Sequence, residues 1–554
     1  MRVALVTTPE ATPSGIGDYT QTLGAHLAER VEVVPYLPAG TEGAGWCGLE
    51  ARPVTALGPR SADRILYQVG NERAHAFMLE PLRRVGGTVT LHDWILFDLA
   101  TSAFPELERG GWRGHLAAWR CGGLDQRRRW YDAIRARREG VSSEARAAGG
   151  PLLHGWHEPE RDGRWCAPRA GIATRPGASV LELDLHLPAG HRLQLEAAGS
   201  VAARVDGPHD GLVRADLPDA ATAVALSVRG ARAVEGDPRP LGAFIRSVRL
   251  GGAPLDLTAP AALPVAGPQL SDARFELSFQ RPIVRWADAF LVHSAAVADR
   301  IHEDRNAATA IGLVPHGVDP TPPAPGVRAE ARRAVGWEEP GTVLIVSFGA
   351  IQEHKRPEPL LRAFAAARAR DPRLRLVLAG APRTERLDLE GLLAELGLEE
   401  SVRITGWLEE DEAVRWMEAS DFCVHLRGPS TMGTSGGAAR ALGAGRALVL
   451  SDLPEWREFP EAAVRRIPVG GDEVEALAAA LNELGRDEGV RASMEGEALR
   501  WAAEEAAWPV VADRTVELLE RMPAHRTARR SLLQTLNKEA QRNVALRAER
   551  EKRG

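Results

Sequence analysis

Hydrophobic positions recur in short runs along the first part of the chain. Val3–Thr7, Val31–Tyr36, Ile65–Val69 and Thr88–Leu91 read as strands, with helical patterns such as Tyr19–Glu29 between them. Alternating β and α elements imply a parallel sheet covered on both faces. From about Gly155 to Gly252 the texture changes. Leu181, Leu183, Leu185 and Leu187 alternate with Glu182, Asp184 and His186, which is period two with one wet face. Leu193/Leu195, Val201–Val205, Val224–Val228 and Phe244–Leu250 look alike, and Gly, Pro and Asp separate them. This stretch reads as a β-sandwich of about 100 residues.

After the Pro- and Ala-rich Ala253–Gln269 the α/β texture returns. Ile283–Ala287 ends a helix, and Ala289–His293 and Ile311–Pro315 read as strands. The sandwich is therefore expected as an insertion into the first α/β domain, at a surface loop where insertions are tolerated. Residues 320–327 read as a stiff proline-rich linker. A second α/β domain follows, with strands Val343–Phe348, Leu374–Ala379, Val402–Thr405, Phe422–Leu426 and Ala447–Leu450. Helices such as Pro359–Arg368 and Asp411–Ala419 lie between them. The expected fold class is α/β, with two Rossmann-like doubly wound domains facing a cleft and a β-sandwich inserted in the first. The boundaries are 1–150 and 254–325 for the N-terminal domain, 151–253 for the sandwich, 326–520 for the C-terminal domain and 521–554 for a basic helical tail. Ligands of such folds sit at the carboxyl ends of the strands.

Composition narrows the function classes. The chain has 554 residues, 44% hydrophobic and 26% charged, which describes a globular protein of several domains. A net charge of −6 gives no reason to expect nucleic acid as a partner. Cys47, Cys121, Cys166 and Cys423 make no close pair, so a reducing cytoplasm is the expected location. Met1–Thr8 reads as an apolar strand rather than a signal peptide, and no run approaches the roughly 18 apolar residues of a spanning helix. Any membrane contact is expected to be peripheral, at the inner face.

Three points of the chain carry candidate phosphate chemistry. Thr434-Ser435-Gly436-Gly437 opens the helix that carries Arg440, so free N–H groups and the helix dipole favour an anion there. Gly15 and Gly17 sit at the turn after the first strand, where small residues allow a ligand close to the backbone; a plain tight turn is the competing reading. Lys355 and Arg356 follow the first strand of the second α/β domain and suit phosphate oxygens, although a solvated basic pair fits the same residues. His92, at the end of a strand with Asp93 beside it, suits a sugar hydroxyl or simple packing, with Asp93 fixing its tautomer. No metal-ligand cluster is evident.

In order and spacing these points resemble the GT-B-fold retaining glycosyltransferases of family 4. Ala287–Ser294, Val314–Asp319, Leu378–Ala381 and Ile404–Leu408 add to the likeness, which covers both α/β domains but not the sandwich. The resemblance implies a metal-independent hexosyltransferase. It would use a nucleotide-diphosphate sugar as donor substrate, with no cofactor, and a glycan or lipid-linked acceptor in bacterial surface polysaccharide synthesis. It places Gly15 and Gly17 near the donor phosphates, His92 at the donor sugar and Lys355 on the diphosphate, and gives the amides of Thr434–Gly437 to sugar and phosphate. The chain departs from the pattern. Ala350 stands where the family has Arg, and Met432 and Arg440 stand where it has two glutamates, with Gly433 not acidic either. Arg440 cannot accept hydrogen bonds from ribose hydroxyls, but it suits a phosphate or a carboxylate. These departures support an alternative, a catalytically silent glycan-binding or scaffold subunit.

Two further features stay open. Residues 109–138 interleave Trp112, Trp119, Trp130 and Tyr131 with many arginines, which suits an anionic membrane face, a lipid-diphosphate acceptor, or an exposed charged helix. Trp156 and Trp165 at the start of the sandwich suit sugar stacking, or a buried core.

Overall fold

The computed structural model describes residues 1–523 apart from 42–44, 140–150, 176, 199, 235–236, 260, 262–268, 306–307, 322–325, 338 and 385–386. The expected basic tail lies outside the described residues from 524 onward, as does the middle of the proline-rich linker. The chain divides into two compact units. One comprises Met1–Pro105 together with the chain from Ser278 onward, and the other comprises Glu106–Leu277.

The first unit has two lobes, each built on a parallel sheet. The N-terminal sheet contains β1 (Arg2–Val6), β2 (Glu32–Leu37), β3 (Arg52–Pro53), β4 (Arg64–Val69), β5 (Thr88–Leu91), β6 (Ala289–Val292) and β7 (Ala310–Leu313). Their order is β7-β6-β5-β4-β1-β2-β3, parallel throughout. Helix α1 (Gly15–Ala28) packs Tyr19, Leu23 and Leu27 against Val3 and Leu5 of β1.

The C-terminal sheet runs β10-β9-β8-β11-β12-β13, again parallel. Its strands are β8 (Val343–Phe348), β9 (Leu374–Ala379), β10 (Val402–Ile404), β11 (Phe422–His425), β12 (Ala447–Ser451) and β13 (Val464–Ile467). Alternation along β8 shows why both faces are covered. Val343 and Ile345 enter one core with Leu360, Phe364 and Leu481, while Leu344 and Val346 enter another with Trp416, Ala438 and Leu442. The helices concerned here are α2 (Pro357–Arg368), α3 (Gly436–Gly443), α4 (Glu473–Arg486) and α5 (Trp508–Arg521).

Helix α5 crosses back. Trp508, Val511, Ala512 and Leu519 pack with Val3, Leu5 and Tyr19, so this helix completes the N-terminal lobe although the expected boundary of 520 places it in the C-terminal one. Its apolar face matches the outer surface of α1 and β1, and local sequence carries no sign of that match.

Besides a two-stranded ribbon of Arg232–Val234 and Asp237–Leu241, the second unit contains two larger antiparallel sheets. One runs Ser200–Asp206, Arg192–Ala197, Ala223–Arg229, Arg169–Ala173. The other runs His209–Asp216, Val180–Leu187, Phe244–Leu250, Gly163–Cys166, Trp156–Glu160. Leu181, Leu183, Leu185 and Leu187 share one core with Leu193, Leu195, Val224 and Leu226. Trp156 is buried in that core and donates Nε1–H to the Gly171 carbonyl at 2.9 Å. Trp165 lies half-buried with its ring 5.2 Å from Phe244. The unit also takes in the helical segment Gly111–Glu139.

Candidate functional site between the lobes

Each parallel sheet reverses strand order at its first strand, between β1 and β4 in one lobe and between β8 and β11 in the other. Such reversals open crevices at the carboxyl ends of the strands, where doubly wound folds bind ligands. The residues singled out from sequence follow these ends. A cavity of about 470 Å³ opens between the lobes there. Gly15, Tyr19, Glu72, His92 and Asp93 line it from one side, and Thr434, Gly436, Gly437 and Arg440 from the other.

On the N-terminal side the helix starts earlier than the pattern of apolar residues implies. Ser14 caps α1, its Oγ accepting from Gly17 N at 2.8 Å, so both glycines lie in the first helical turn. Gly15 is open to the cavity, whereas Gly17 does not line it. A methyl group on Gly17 would stand 3.1 Å from Ser14 Cβ and 3.2 Å from Thr8 Oγ1, so Gly17 serves the packing of the cap.

His92 is buried and neutral. Burial first, then the neighbouring His293 and His316, hold its pKa well below the ordinary value. His293 Nδ1 faces the Val314 carbonyl at 2.9 Å and therefore carries the proton. Its Nε2 then accepts from His92 Nδ1 at 3.1 Å, which leaves His92 Nε2 as an acceptor facing the Gln68 carboxamide at 2.8 Å. Turning that carboxamide over brings its otherwise unpartnered nitrogen to His92 as the donor that this acceptor needs. The expected tautomer partner, Asp93, is not involved. Its Oδ2 accepts from Asn71 N at 2.9 Å instead, and burial raises its pKa. Both ring nitrogens of His92 are thus engaged by protein groups. Tyr19 packs edge-on against His92, His316 and Trp508, with centroids 4.8, 4.9 and 5.1 Å away.

On the C-terminal side Ser435 is the N-cap of α3. Its Oγ accepts from Ala438 N at 3.3 Å and donates to His425 Nε2 at 2.7 Å. The first-turn amides of α3 therefore open toward the cavity beside Thr434, Gly436 and Gly437. Arg440 lines the cavity one turn further along.

Lys355 is not among the residues that line the cavity but lies near His425, whose pKa is held well below the ordinary value by burial first and then by the charges of Lys355 and Arg427. Burial, then Arg427 and Arg383, lowers the Lys355 pKa to about 8, and no carboxylate among the described residues offsets it. Gly349 makes room for the ammonium. Its φ is +105°, and a methyl there would stand 2.5 Å from Lys355 Nζ. Arg356, expected on phosphate, is engaged elsewhere. Its Nε donates to Glu473 Oε1 at 3.0 Å and a second nitrogen bonds Oε2, so its charge is neutralised at the start of α4.

Sequence reading missed the partners of Lys355. Arg427 and Arg383 follow β11 and β9 and gather only because those strands flank β8. Arg427 is held over the Trp456 ring at 5.3 Å and donates to Thr431 Oγ1 at 2.9 Å. His293 and His316, at the ends of β6 and β7, were legible only as strand-end histidines, the signal already used for His92.

Residues 342–487 match the family model described as glycosyl transferases group 1. Among curated proteins, the D-inositol 3-phosphate glycosyltransferase of Stackebrandtia nassauensis is 35% identical over 133 residues, 22% of this chain and 30% of that protein. The protein of the same name from Actinosynnema mirum is 32% identical over 27% of this chain and 40% of its own length. That from Salinispora arenicola is 29% identical over 57% of this chain and 76% of its own. The match thus spans less than half of the first of these relatives. Among solved structures, Anabaena HepE in complex with UDP aligns with a TM-score of 0.47 at 12% identity, over 94% of this chain and all of that one. The lipopolysaccharide glycosyltransferase WaaG aligns with a TM-score of 0.44 at 10% identity, over 92% and 98%. Two Rossmann-like lobes around a cleft are the GT-B arrangement, and the C-terminal lobe carries the likeness to group 1 glycosyl transferases.

Proposed function

We propose that this chain transfers a sugar from a nucleotide-diphosphate donor to a hydroxyl of a glycan or lipid-linked acceptor, with retention at the anomeric carbon and without a metal ion. The observation that carries the reading is Lys355. A desolvated ammonium flanked by Arg383 and Arg427 and by no carboxylate among the described residues is a receptor for an anion. The α3 terminus, whose cap Ser435 bonds the His425 ring near Lys355, adds first-turn amides.

In this reading the bond from the anomeric carbon to the diphosphate oxygen breaks and its electron pair stays on that oxygen. The acceptor oxygen bonds the same carbon, and its proton passes to the leaving phosphate. Lys355, Arg427 and the amides of Thr434–Gly437 stabilise the charge that grows on the diphosphate. Gly15 and Arg440 bound the donor from either side of the cavity. His92, whose ring nitrogens are both engaged, shapes the sugar pocket through its backbone and through the ring cluster around Tyr19.

One feature favours a second reading, a binding subunit without turnover. Met432 and Arg440 stand where an acidic pair is expected, and His92 has no free ring nitrogen. A panel of UDP-, GDP- and ADP-sugars with glycan and cyclitol acceptors separates the two. Transfer or hydrolysis of one donor, lost in Lys355→Ala, supports the enzyme. Thermal stabilisation by a nucleoside diphosphate that depends on Lys355, without turnover, supports the subunit. Neither effect with any donor removes both.

A further inference from the structure

The helical segment Gly111–Glu139 leaves helical geometry at Gly123, with φ 80° and ψ −164°. The chain folds back there, since the His115 ring lies 5.0 Å from Trp130 and 5.2 Å from Tyr131. Trp130 is the buried pin between the halves, its Nε1 donating to the Leu107 carbonyl at 2.9 Å. In the first half Trp112, His115 and Trp119 share a face by their spacing of three and seven. In the second half Leu124, Arg128 and Tyr131 do the same by spacings of four and seven. The His115–Tyr131 contact joins the two faces into one.

That face is apolar and open. Trp112 is 70% exposed, Trp119 45%, Leu124 59% and Tyr131 46%. These are four of the nine large hydrophobic side chains exposed among the described residues, so the exposure is concentrated rather than scattered. The same stretch is cationic in a chain whose net charge is −6. Residues 111–137 hold seven arginines and two aspartates. Arg113 lies over the Trp112 ring at 5.4 Å, which presents ring and charge together, and Arg120 and Arg128 are exposed. Arg129 is the exception, held by Asp125 at 3.1 Å.

A soluble polyanion would engage the arginines and leave Leu124 and both indoles in water. A bilayer surface takes both classes at once. Indole and phenol rings settle at headgroup depth, and guanidinium groups meet lipid phosphates. We propose that this face docks the protein on a membrane containing anionic phospholipid. The inference uses neither the cavity nor Lys355, so it stands or falls apart from the transferase reading.

The test is co-sedimentation of the full chain with vesicles of phosphatidylcholine alone or mixed with phosphatidylglycerol. Binding is expected on the mixed vesicles, weakening as salt rises. It should fall about tenfold or more both in Trp112→Ser/Trp119→Ser and in Arg113→Gln/Arg120→Gln. The substituted side chains are exposed, so thermal unfolding should not move. Should one variant fail to fold, the other decides alone. No binding to mixed vesicles at low salt, equal binding to neutral ones, or binding unchanged in the folded variants would each overturn the proposal.

Discussion

Asp93 fills the space into which a side chain at position 433 would point. A methyl added to Gly433 would stand 2.5 Å from Asp93 Oδ1 and 3.2 Å from the His92 carbonyl oxygen. The two residues come from opposite lobes, so a glycine here lets the C-terminal loop close over a buried carboxylate. Gly433→Ala should destabilise the protein by about 1–3 kcal/mol through overpacking. Paired with Asp93→Ala it should cost less than the sum of the single changes, because the second removes the obstacle. Urea midpoints of the four proteins measure the coupling, and strict additivity would show that the loop relaxes without Asp93.

Lys355 sets function against stability. Removing an ammonium that is buried beside two arginines relieves a desolvation cost, so Lys355→Met should raise the unfolding temperature while weakening nucleoside diphosphate binding. The loss of binding should be about 10- to 100-fold, the range for charge-assisted hydrogen bonds. The pH dependence follows from the depressed pKa. Between about 8 and the ordinary 10.5 the unfolded chain still holds a proton that the folded chain has released. Stability attributable to this group therefore rises with pH across that window, and the anion loses its partner above about 8. Calorimetric titration of wild type and Lys355→Met from pH 7 to 9.5 checks this. Equal pH slopes in the two proteins would refute the assignment.

Much of the scaffold was legible because parallel strands buried on both faces leave unbroken apolar runs, as in Val343–Phe348. The ends of those strands point to a crevice for the same reason, and Thr434 and His92 are among the residues that line it. The partners of Lys355 and Gly433 were not legible. Arg427 and Arg383 meet Lys355 only through strand order, and Asp93 meets Gly433 only when two lobes close. The pairing of Arg356 with Glu473 was hidden as well, since a basic residue beside a candidate phosphate site looks the same whether or not a distant carboxylate holds it. Gly17 shows the opposite error, in which a glycine fitted to a ligand loop proves to be packed against a helix cap.

The Arg356–Glu473 pair gives a third test. The Glu473 side chain is 3% exposed and also accepts from Gly470 N at 3.0 Å, so losing its partner strands a buried charge. Arg356→Ala should cost about 3–5 kcal/mol of stability, whereas Arg356→Ala/Glu473→Gln should recover part of it. Nucleoside diphosphate affinity of the folded variant should stay within about threefold of wild type, since a neutralised guanidinium contributes little to an anion. A loss as large as that of Lys355→Met would return Arg356 to the phosphate site.

The ring cluster around Tyr19 makes the protein sensitive to mild acid. His293 is held down to about 4 and His316 to about 3, in each case chiefly by burial. In the unfolded chain both titrate near the ordinary 6.5, so as pH falls below that value the unfolded state takes up protons that the folded state refuses. Their contribution to stability is complete above about 6.5. It is lost progressively toward 4 for His293 and toward 3 for His316. The His92–His293 hydrogen bond shares this fate, because protonating His293 Nε2 removes the acceptor that His92 Nδ1 uses. Replacing His316 with Phe keeps a ring against Tyr19 and Trp508 but takes one proton site away. Urea midpoints measured from pH 7.5 to 5 should then fall less steeply in His316→Phe than in wild type, by about one proton's worth of slope below pH 6. Parallel curves would mean that His316 is already charged in the folded protein, and the tautomer chain from Val314 to Gln68 would have to be redrawn around a charged neighbour.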